Sequence, residues 1–118
     1  MLSAKNRLRN SSDFSRTTKT GHRATSPHLV LYFLSSAQNH DSGAPKLGLI
    51  INKSIGGSVT RHQIARQLRH IARERINTFP ENTHVVIRVL KKCDNYQAEL
   101  NEAFDKALTR LTELAGKK

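Results

Sequence analysis

The chain has 118 residues, with 20 Lys and Arg against 9 Asp and Glu, which gives a formal net charge of +11 and an isoelectric point near 10.6. This length suits a single domain, residues 1–118, with one modest core, and the only cysteine, Cys93, excludes an internal disulfide and a cysteine-rich zinc site. No apolar run reaches the length of a signal-peptide core or a membrane span, so we expect a soluble, cytoplasmic protein without a membrane partner.

The positive charge is concentrated in the front of the chain. Up to Arg73 there are twelve Lys and Arg and only two acids, whereas the remainder has eight basic and seven acidic residues. An imbalance of this size is typical of a protein that binds a polyanion. We therefore expect the front of the chain to form a phosphate-binding surface.

The first half of the chain is predicted to form a basic arm, a short helix and three strands. The arm covers about residues 1–10 and has Leu8 as its apolar anchor. The helix is expected to take its N-cap from residues 11–13 and to end at Gly21 in the left-handed conformation. The helix and the strands are predicted at residues 13–20, 22–26, 28–35 and 46–52, with a loop at 38–45.

The second half is predicted to form helix, strand and helix. After a Gly-Gly turn, Ser58 or Thr60 is expected to cap a helix that ends before Pro80. A strand at residues 84–90 follows, and its separation from the preceding strand favours a parallel pair joined by a helical crossover. Asp94 or Asn95 is expected to cap the last helix. Its apolar face is formed by Leu100, Phe104, Leu108 and Leu111.

The helix after the Gly-Gly turn has two opposite faces. Its apolar side is formed by Ile64, Ala65, Leu68, Ile71 and Ala72, and its cationic side by His62, Arg66, Arg69, His70 and Arg73. Like charges at this spacing repel, so a solvated helix usually mixes acids with bases. A row of one sign favours phosphate binding, although a solvated basic face is the plainer alternative.

The Lys53 turn and the aromatic residues Phe14 and Tyr32 each allow two interpretations. Lys53 and the amides of Gly56 and Gly57 would suit a phosphate at a helix N-terminus, or the glycines serve the turn alone. Phe14 and Tyr32 would stack on unpaired bases, but taken alone each aromatic is more often a core residue.

The order of elements and several motifs resemble the protein subunit of bacterial ribonuclease P over nearly the whole chain. The motifs are Asn6-Arg7-Leu8-Arg9, Asp13-Phe14, Gly21, Leu29-Val30-Leu31-Tyr32, Gly48, Lys53-x-Ile55-Gly56, Val59-x-Arg61, Ile64, Arg66 and Arg69. The chain has Arg61-His62-Gln63 where that family has an Arg-Asn-Arg triplet.

The resemblance implies an α+β fold, an α/β sandwich with the element order α-β-β-β-α-β-α. Its four-stranded sheet would be mostly antiparallel, with an unusual left-handed βαβ crossover. It also implies a protein that joins a catalytic RNA and promotes endonucleolytic removal of the 5′ leader of precursor tRNA. Catalysis would belong to the RNA and its Mg2+ ions. We expect no catalytic residue, no tightly bound cofactor and no obligate protein partner for the protein itself.

The site residues implied by the resemblance form two groups. The residues expected to contact the catalytic RNA are Lys53, Arg61, His62, Arg66, Arg69 and Arg73. The residues expected to line the leader-binding cleft are Phe14, Tyr32, Lys5, Arg7 and Arg9.

Three other functions stay open from the residues alone. A ribosomal-type RNA-binding protein would share the basic surface without preferring a leader, and a DNA-binding regulator would place the basic helix in the major groove. An autonomous nuclease would need two paired histidines, yet none of the six has metal-ligand spacing or an evident partner. Cys93 is interpreted as a structural or incidental thiol.

Overall fold

The computed structural model describes residues 6–9, 11–35, 44–79 and 83–116, with side chains up to residue 113. Most of the loop predicted at 38–45 and the end of the predicted tail at 116–118 lie outside these residues. The helices are α1 (Ser11–Thr20), α2 (Ser58–Arg75) and α3 (Gln97–Gly116), and the strands are β1 (His22–Thr25), β2 (Leu29–Ser35), β3 (Lys46–Ile50) and β4 (Thr83–Val89). The predicted order of elements is confirmed.

The four strands form one sheet in the order β1-β2-β4-β3. β2 pairs antiparallel with both β1 and β4, whereas β3 and β4 are parallel and are joined through α2. The mostly antiparallel sheet and the parallel pair are therefore confirmed. The left-handed sense of the crossover stays a prediction.

One face of the sheet carries the hydrophobic core. Alternate strand residues, among them Leu31, Leu47 and Ile87, are buried on this face because side chains alternate along a strand. α2 and α3 cover them with two apolar stripes. The buried residues of these stripes are Ile64, Leu68, Ala72, Leu100, Ala103, Phe104, Ala107 and Leu111.

The opposite face of the sheet receives α1. A Cβ atom placed on Gly48 would lie 2.2 Å from the Phe14 ring, so the ring of α1 rests on the bare backbone of β3. Near the other end of α1, a Cβ on Gly21 would lie 2.4 Å from the Thr17 carbonyl oxygen and 2.7 Å from that of Phe33. Both glycines are thus required by close approach, and the helices occupy both faces of the sheet as a sandwich requires.

The predicted basic arm is tied to the sheet over part of its length. Leu8 is buried and its amide donates to the Leu47 carbonyl at 2.9 Å. Asn6 is also buried, and its side-chain amide donates to the Pro45 carbonyl at 2.7 Å. Residues 6–8 therefore extend the sheet beside β3 instead of trailing from it.

Two local expectations were wrong. α1 ends before Gly21 as predicted, but the φ of Gly21 lies outside the left-handed region, and a glycine is needed there because a Cβ would meet the backbone carbonyls of Thr17 and Phe33. Ser58 and Thr60 lie inside α2, whose N-cap is Gly57 in extended conformation without a side-chain bond. At α3, in contrast, the Asn95 side-chain oxygen accepts from the Gln97 amide at 2.8 Å, as capping requires.

The end of α2 and the start of α3 are fixed by two aromatic residues. Phe79 is extended after a short turn at Ile76–Thr78, as the following proline requires. Tyr96, which the sequence did not single out, is fully buried; its hydroxyl donates to the Lys91 carbonyl and accepts from the Cys93 amide. Within the described residues, no helix is long and apolar enough to cross a bilayer.

The contact between α1 and β3 gives a test of the fold. We predict that Gly48→Ala lowers the free energy of unfolding by about 1–3 kcal/mol, as overpacking usually does. The same substitution should cost little in a Phe14→Ala background, because the ring that it strikes is gone. Gly57→Ala is the control, since its Cβ would meet no atom within 4 Å. Urea denaturation gives the free energy of unfolding of Gly48→Ala, Phe14→Ala, the double variant and Gly57→Ala. If Gly48→Ala lowered it equally in both backgrounds, the proposed packing of Phe14 on Gly48 would be contradicted.

Candidate RNA interface

The cationic face of α2 is open to solvent. His62, Arg66, Arg69, His70 and Arg73 are all exposed, whereas the apolar stripe behind them is buried. Among the described residues, no carboxylate forms a salt bridge with Arg66, Arg69 or Arg73. Their guanidinium groups are therefore available to phosphate oxygens, which the planar fork of arginine matches.

Arg75, at the end of the same helix, behaves differently. It donates to Asp105 and Asn101 of α3 and lies over the Phe104 ring, 5.7 Å from its centroid. The alternative in which basic residues of α2 pair with the acidic last helix thus applies to Arg75. This arginine joins α2 to α3, and the exposed row ends two residues earlier, at Arg73.

The turn before α2 is stabilised from within. The Gly56 amide donates to the Lys53 carbonyl at 3.1 Å, and the Arg61 Nε atom donates to the Gly56 carbonyl at 3.2 Å. The turn already uses the Gly56 amide, which favours the alternative that the glycines serve the turn. Phosphate binding by Lys53 and the Gly57 amide stays a prediction. Lys53 itself is exposed, and Arg61 lines the same groove as Arg66 and Arg69.

Two adjoining grooves connect α2 with β3 and α1. The first, of about 260 Å³, lies between α2 and the end of β3. The second, of about 360 Å³, lies where α1 and the N-terminal segment meet β3, and its lining includes Arg7, Arg9, Phe14 and Gly48. Arg69 lines both grooves. The surface expected to bind the catalytic RNA and the expected leader cleft therefore meet at this side chain.

The predicted cleft residues are brought together in part. Arg9 is exposed, and Arg7 is half-buried with an Nε atom that has no hydrogen-bond partner among the described residues. Phe14 is half-buried, so one part of its ring packs on Gly48 and the rest faces the groove. Lys5 lies outside the described residues.

Tyr32 lies on the same face of the sheet but outside that groove. The pairing register aligns Arg23, Tyr32, Val86 and Gly48 across the four strands. Tyr32 is thus two strands from Gly48, about 10 Å at the usual strand spacing. The half-exposed Tyr32 ring and the Phe14 ring belong to one continuous face, separated by the buried Val86.

Two arginines on this face were missed by the sequence interpretation. Arg23 is paired with Tyr32, and Arg88 is paired with Val30 and Ile50 in the next row of the sheet; both are exposed. Arg88 interrupts the apolar run of β4, which was a usable signal of an outward position. Only the register between strands places both arginines beside Tyr32.

One group of potential metal ligands comes together in the described part of the chain: His28, Cys93 and Glu99. None of the three lines either groove on the basic face. The grooves themselves are bordered by arginine and apolar side chains, with His62 in the first, and the arginines suit anions.

Comparison with known proteins agrees with this geometry. The family model described as Ribonuclease P matches residues 2–112. The ribonuclease P protein component of Mycobacterium tuberculosis is 40% identical over 117 residues, covering 98% of this chain and 97% of that protein. That of Corynebacterium diphtheriae is 35% identical over 114 residues, covering 90% and 96%.

Solved structures share the fold at low sequence identity. The RNase P protein of Staphylococcus aureus superposes with a TM-score of 0.63 at 18% identity, covering 94% of this chain and 95% of that one. The family match extends over the arm, both grooves and the cationic face of α2. The chain belongs to the ribonuclease P protein family.

Proposed function

We propose that this chain is the protein subunit of ribonuclease P, which binds the catalytic RNA through α2 and the 5′ leader of precursor tRNA through the sheet face. The particle would remove the leader endonucleolytically and leave the mature 5′ end of the tRNA. The RNA would carry out the cleavage with Mg2+, and the protein would position the substrate. This activity belongs to the cytoplasm, where tRNA is transcribed and processed in bacteria.

The observation that carries the proposal is the continuity of the cationic surface at Arg69. That side chain borders the groove against α2 and the groove beneath Phe14, so one RNA-binding surface leads directly into the other. Both grooves have arginines along their edges and lack acidic lining residues in the described part of the chain. Phosphate contacts of this kind supply most of the affinity for RNA, irrespective of its sequence.

The sheet face suits a single strand better than a duplex. Phe14 and Tyr32 present two partly exposed rings on one face, and aromatic rings stack on unpaired bases whatever their identity. Arg23 and Arg88 flank Tyr32, and Arg7 and Arg9 flank Phe14, so phosphates on either side of a stacked base would meet a guanidinium. A leader of variable sequence requires this kind of recognition.

The chemistry of the arginines supports a positioning role for the protein. A guanidinium group stays protonated at physiological pH, so it neutralises phosphate charge but cannot take a proton from an attacking water. The role proposed for the arginines is to hold two RNAs whose backbones would otherwise repel each other. Bond cleavage is therefore assigned to the RNA and its metal ions.

The RNA-binding role of α2 predicts a specific salt dependence. Replacing both Arg66 and Arg69 by Ala should weaken binding of the catalytic RNA and reduce the slope of log K against log salt by about two units, one for each lost phosphate contact. The matched control replaces Lys106 and Arg110 of α3 by Ala, which removes the same amount of positive charge. These two residues pair with carboxylates of their own helix. An unchanged slope for the α2 variant, with its fold intact, would remove this face from the interface.

The leader-binding role predicts a difference between two tRNAs. Phe14→Ala and Tyr32→Ala should each weaken binding of precursor tRNA to the assembled particle by about tenfold, the loss expected for one stacked base. Binding of mature tRNA, which has no leader, should hardly change. Tyr32→Phe keeps the ring and should bind both tRNAs as the parent chain does. Equal losses for precursor and mature tRNA would mean that the rings serve the fold alone.

A further inference from the structure

A cluster of three side chains lies away from the RNA-binding face, where the turn between β1 and β2 meets the start of α3. A ring nitrogen of His28, the Cys93 sulfur and a Glu99 carboxylate oxygen all lie within 4.8 Å of one another. Each of the three is half-buried, so the cluster is enclosed on one side and open to solvent on the other. The three residues come from separate parts of the chain.

The protein backbone holds these side chains in place. One Glu99 oxygen accepts from the His28 amide at 3.1 Å, and the other is 2.9 Å from the His28 Nδ1 atom. The His28 carbonyl accepts from the amides of Leu90 and Lys91, and the Tyr96 hydroxyl accepts from the Cys93 amide. Hydrogen bonds to the backbone of His28 and Cys93 therefore restrict the positions of the three side chains. Hydrogen bonds around the ligands orient them in known metal sites.

The donor types determine which cation the cluster suits. Thiolate, imidazole and carboxylate together favour a borderline ion such as Zn2+ over Mg2+, which prefers oxygen ligands. Donors on a tetrahedral zinc ion lie about 3.3–3.6 Å apart, given the usual bond lengths. The three donors already lie within 4.8 Å of one another, and the His28 Nδ1 atom is 2.9 Å from a Glu99 oxygen. Small side-chain rotations would open that pair and bring the sulfur to the bonding distance.

We propose that His28, Cys93 and Glu99 bind one Zn2+ ion, with water in the fourth position, and that this ion fastens the β1–β2 turn to the start of α3. The ion would replace the thiol proton of Cys93, which leaves to solvent. It would bridge elements that the His28–Glu99 contact already joins, so its role is structural.

A dication placed between the Cys93 sulfur and the Glu99 carboxylate would stabilise the thiolate form of Cys93 by its positive charge. Sequence spacing could not indicate the site, because His28 is far from the other two residues along the chain.

The test uses the full-length chain without an affinity tag, freed of metal by a chelator and titrated with Co2+. Thiolate coordination should produce a ligand-to-metal charge-transfer band in the near ultraviolet that saturates at one ion per chain. Zn2+ should abolish the band by displacing Co2+ and should raise the melting temperature, whereas Mg2+ should do neither. Absence of the band in the parent chain would overturn the proposal without recourse to any variant.

Variants identify the ligands. Cys93→Ser should lose the charge-transfer band, and both Cys93→Ser and Glu99→Gln should weaken Zn2+ binding by more than about a hundredfold. Glu102→Gln, one turn further along α3 and exposed, is the matched control and should bind Zn2+ as the parent chain does. Near-equal Zn2+ affinity of Glu99→Gln and Glu102→Gln would also overturn the proposal, because the ion would then be bound elsewhere.

Discussion

Positive side chains on one face of α2 repel one another, and the apolar stripe beneath them is what keeps the helix formed. Like charges three or four residues apart cost about 0.2–0.5 kcal/mol per pair. Burial of one Ile or Leu side chain contributes about 1.5–3 kcal/mol, and Ile64 and Leu68 are both buried against the sheet. The packing thus outweighs the repulsion, and the helix can present an unpaired cationic row to a polyanion. Under the proposed function, bound RNA would reduce the repulsion between these cationic side chains.

One face of the sheet carries the core, and the other carries several of the proposed binding residues. One face buries the core under α2 and α3, while α1 covers only part of the other and leaves Tyr32, Arg23 and Arg88 at the surface. Phe14 packs directly on Gly48 and so holds α1 against the sheet. A groove lies between this contact and Arg69. Four of the nine acids lie on α3, and none of the nine lines either groove. The proposed binding arginines therefore lie mostly on surface that the core does not use.

Sequence patterns predicted most of the fold but only part of the site. Periodicity fixed the elements and the two faces of α2, and the length of the crossover indicated the parallel pair. Local contacts were less predictable. The approach of the Thr17 and Phe33 backbone carbonyls to Gly21, and the bond from the Gly56 amide to the Lys53 carbonyl, depend on atomic distances. Arg23 and Arg88 become neighbours of Tyr32 through strand register, and His28 meets Cys93 and Glu99 through tertiary packing. Such contacts join residues far apart in the chain, which no local pattern encodes.

The central claim is that this chain positions a precursor tRNA for cleavage by an RNA. It is tested most directly by adding the purified, RNA-free protein to its cognate catalytic RNA at a Mg2+ concentration too low for that RNA to act alone. The account predicts that leader removal is restored in the mixture and that the protein without RNA leaves the precursor intact. Failure to stimulate the RNA would contradict the account, and so would leader removal by the protein alone that a single histidine substitution abolishes.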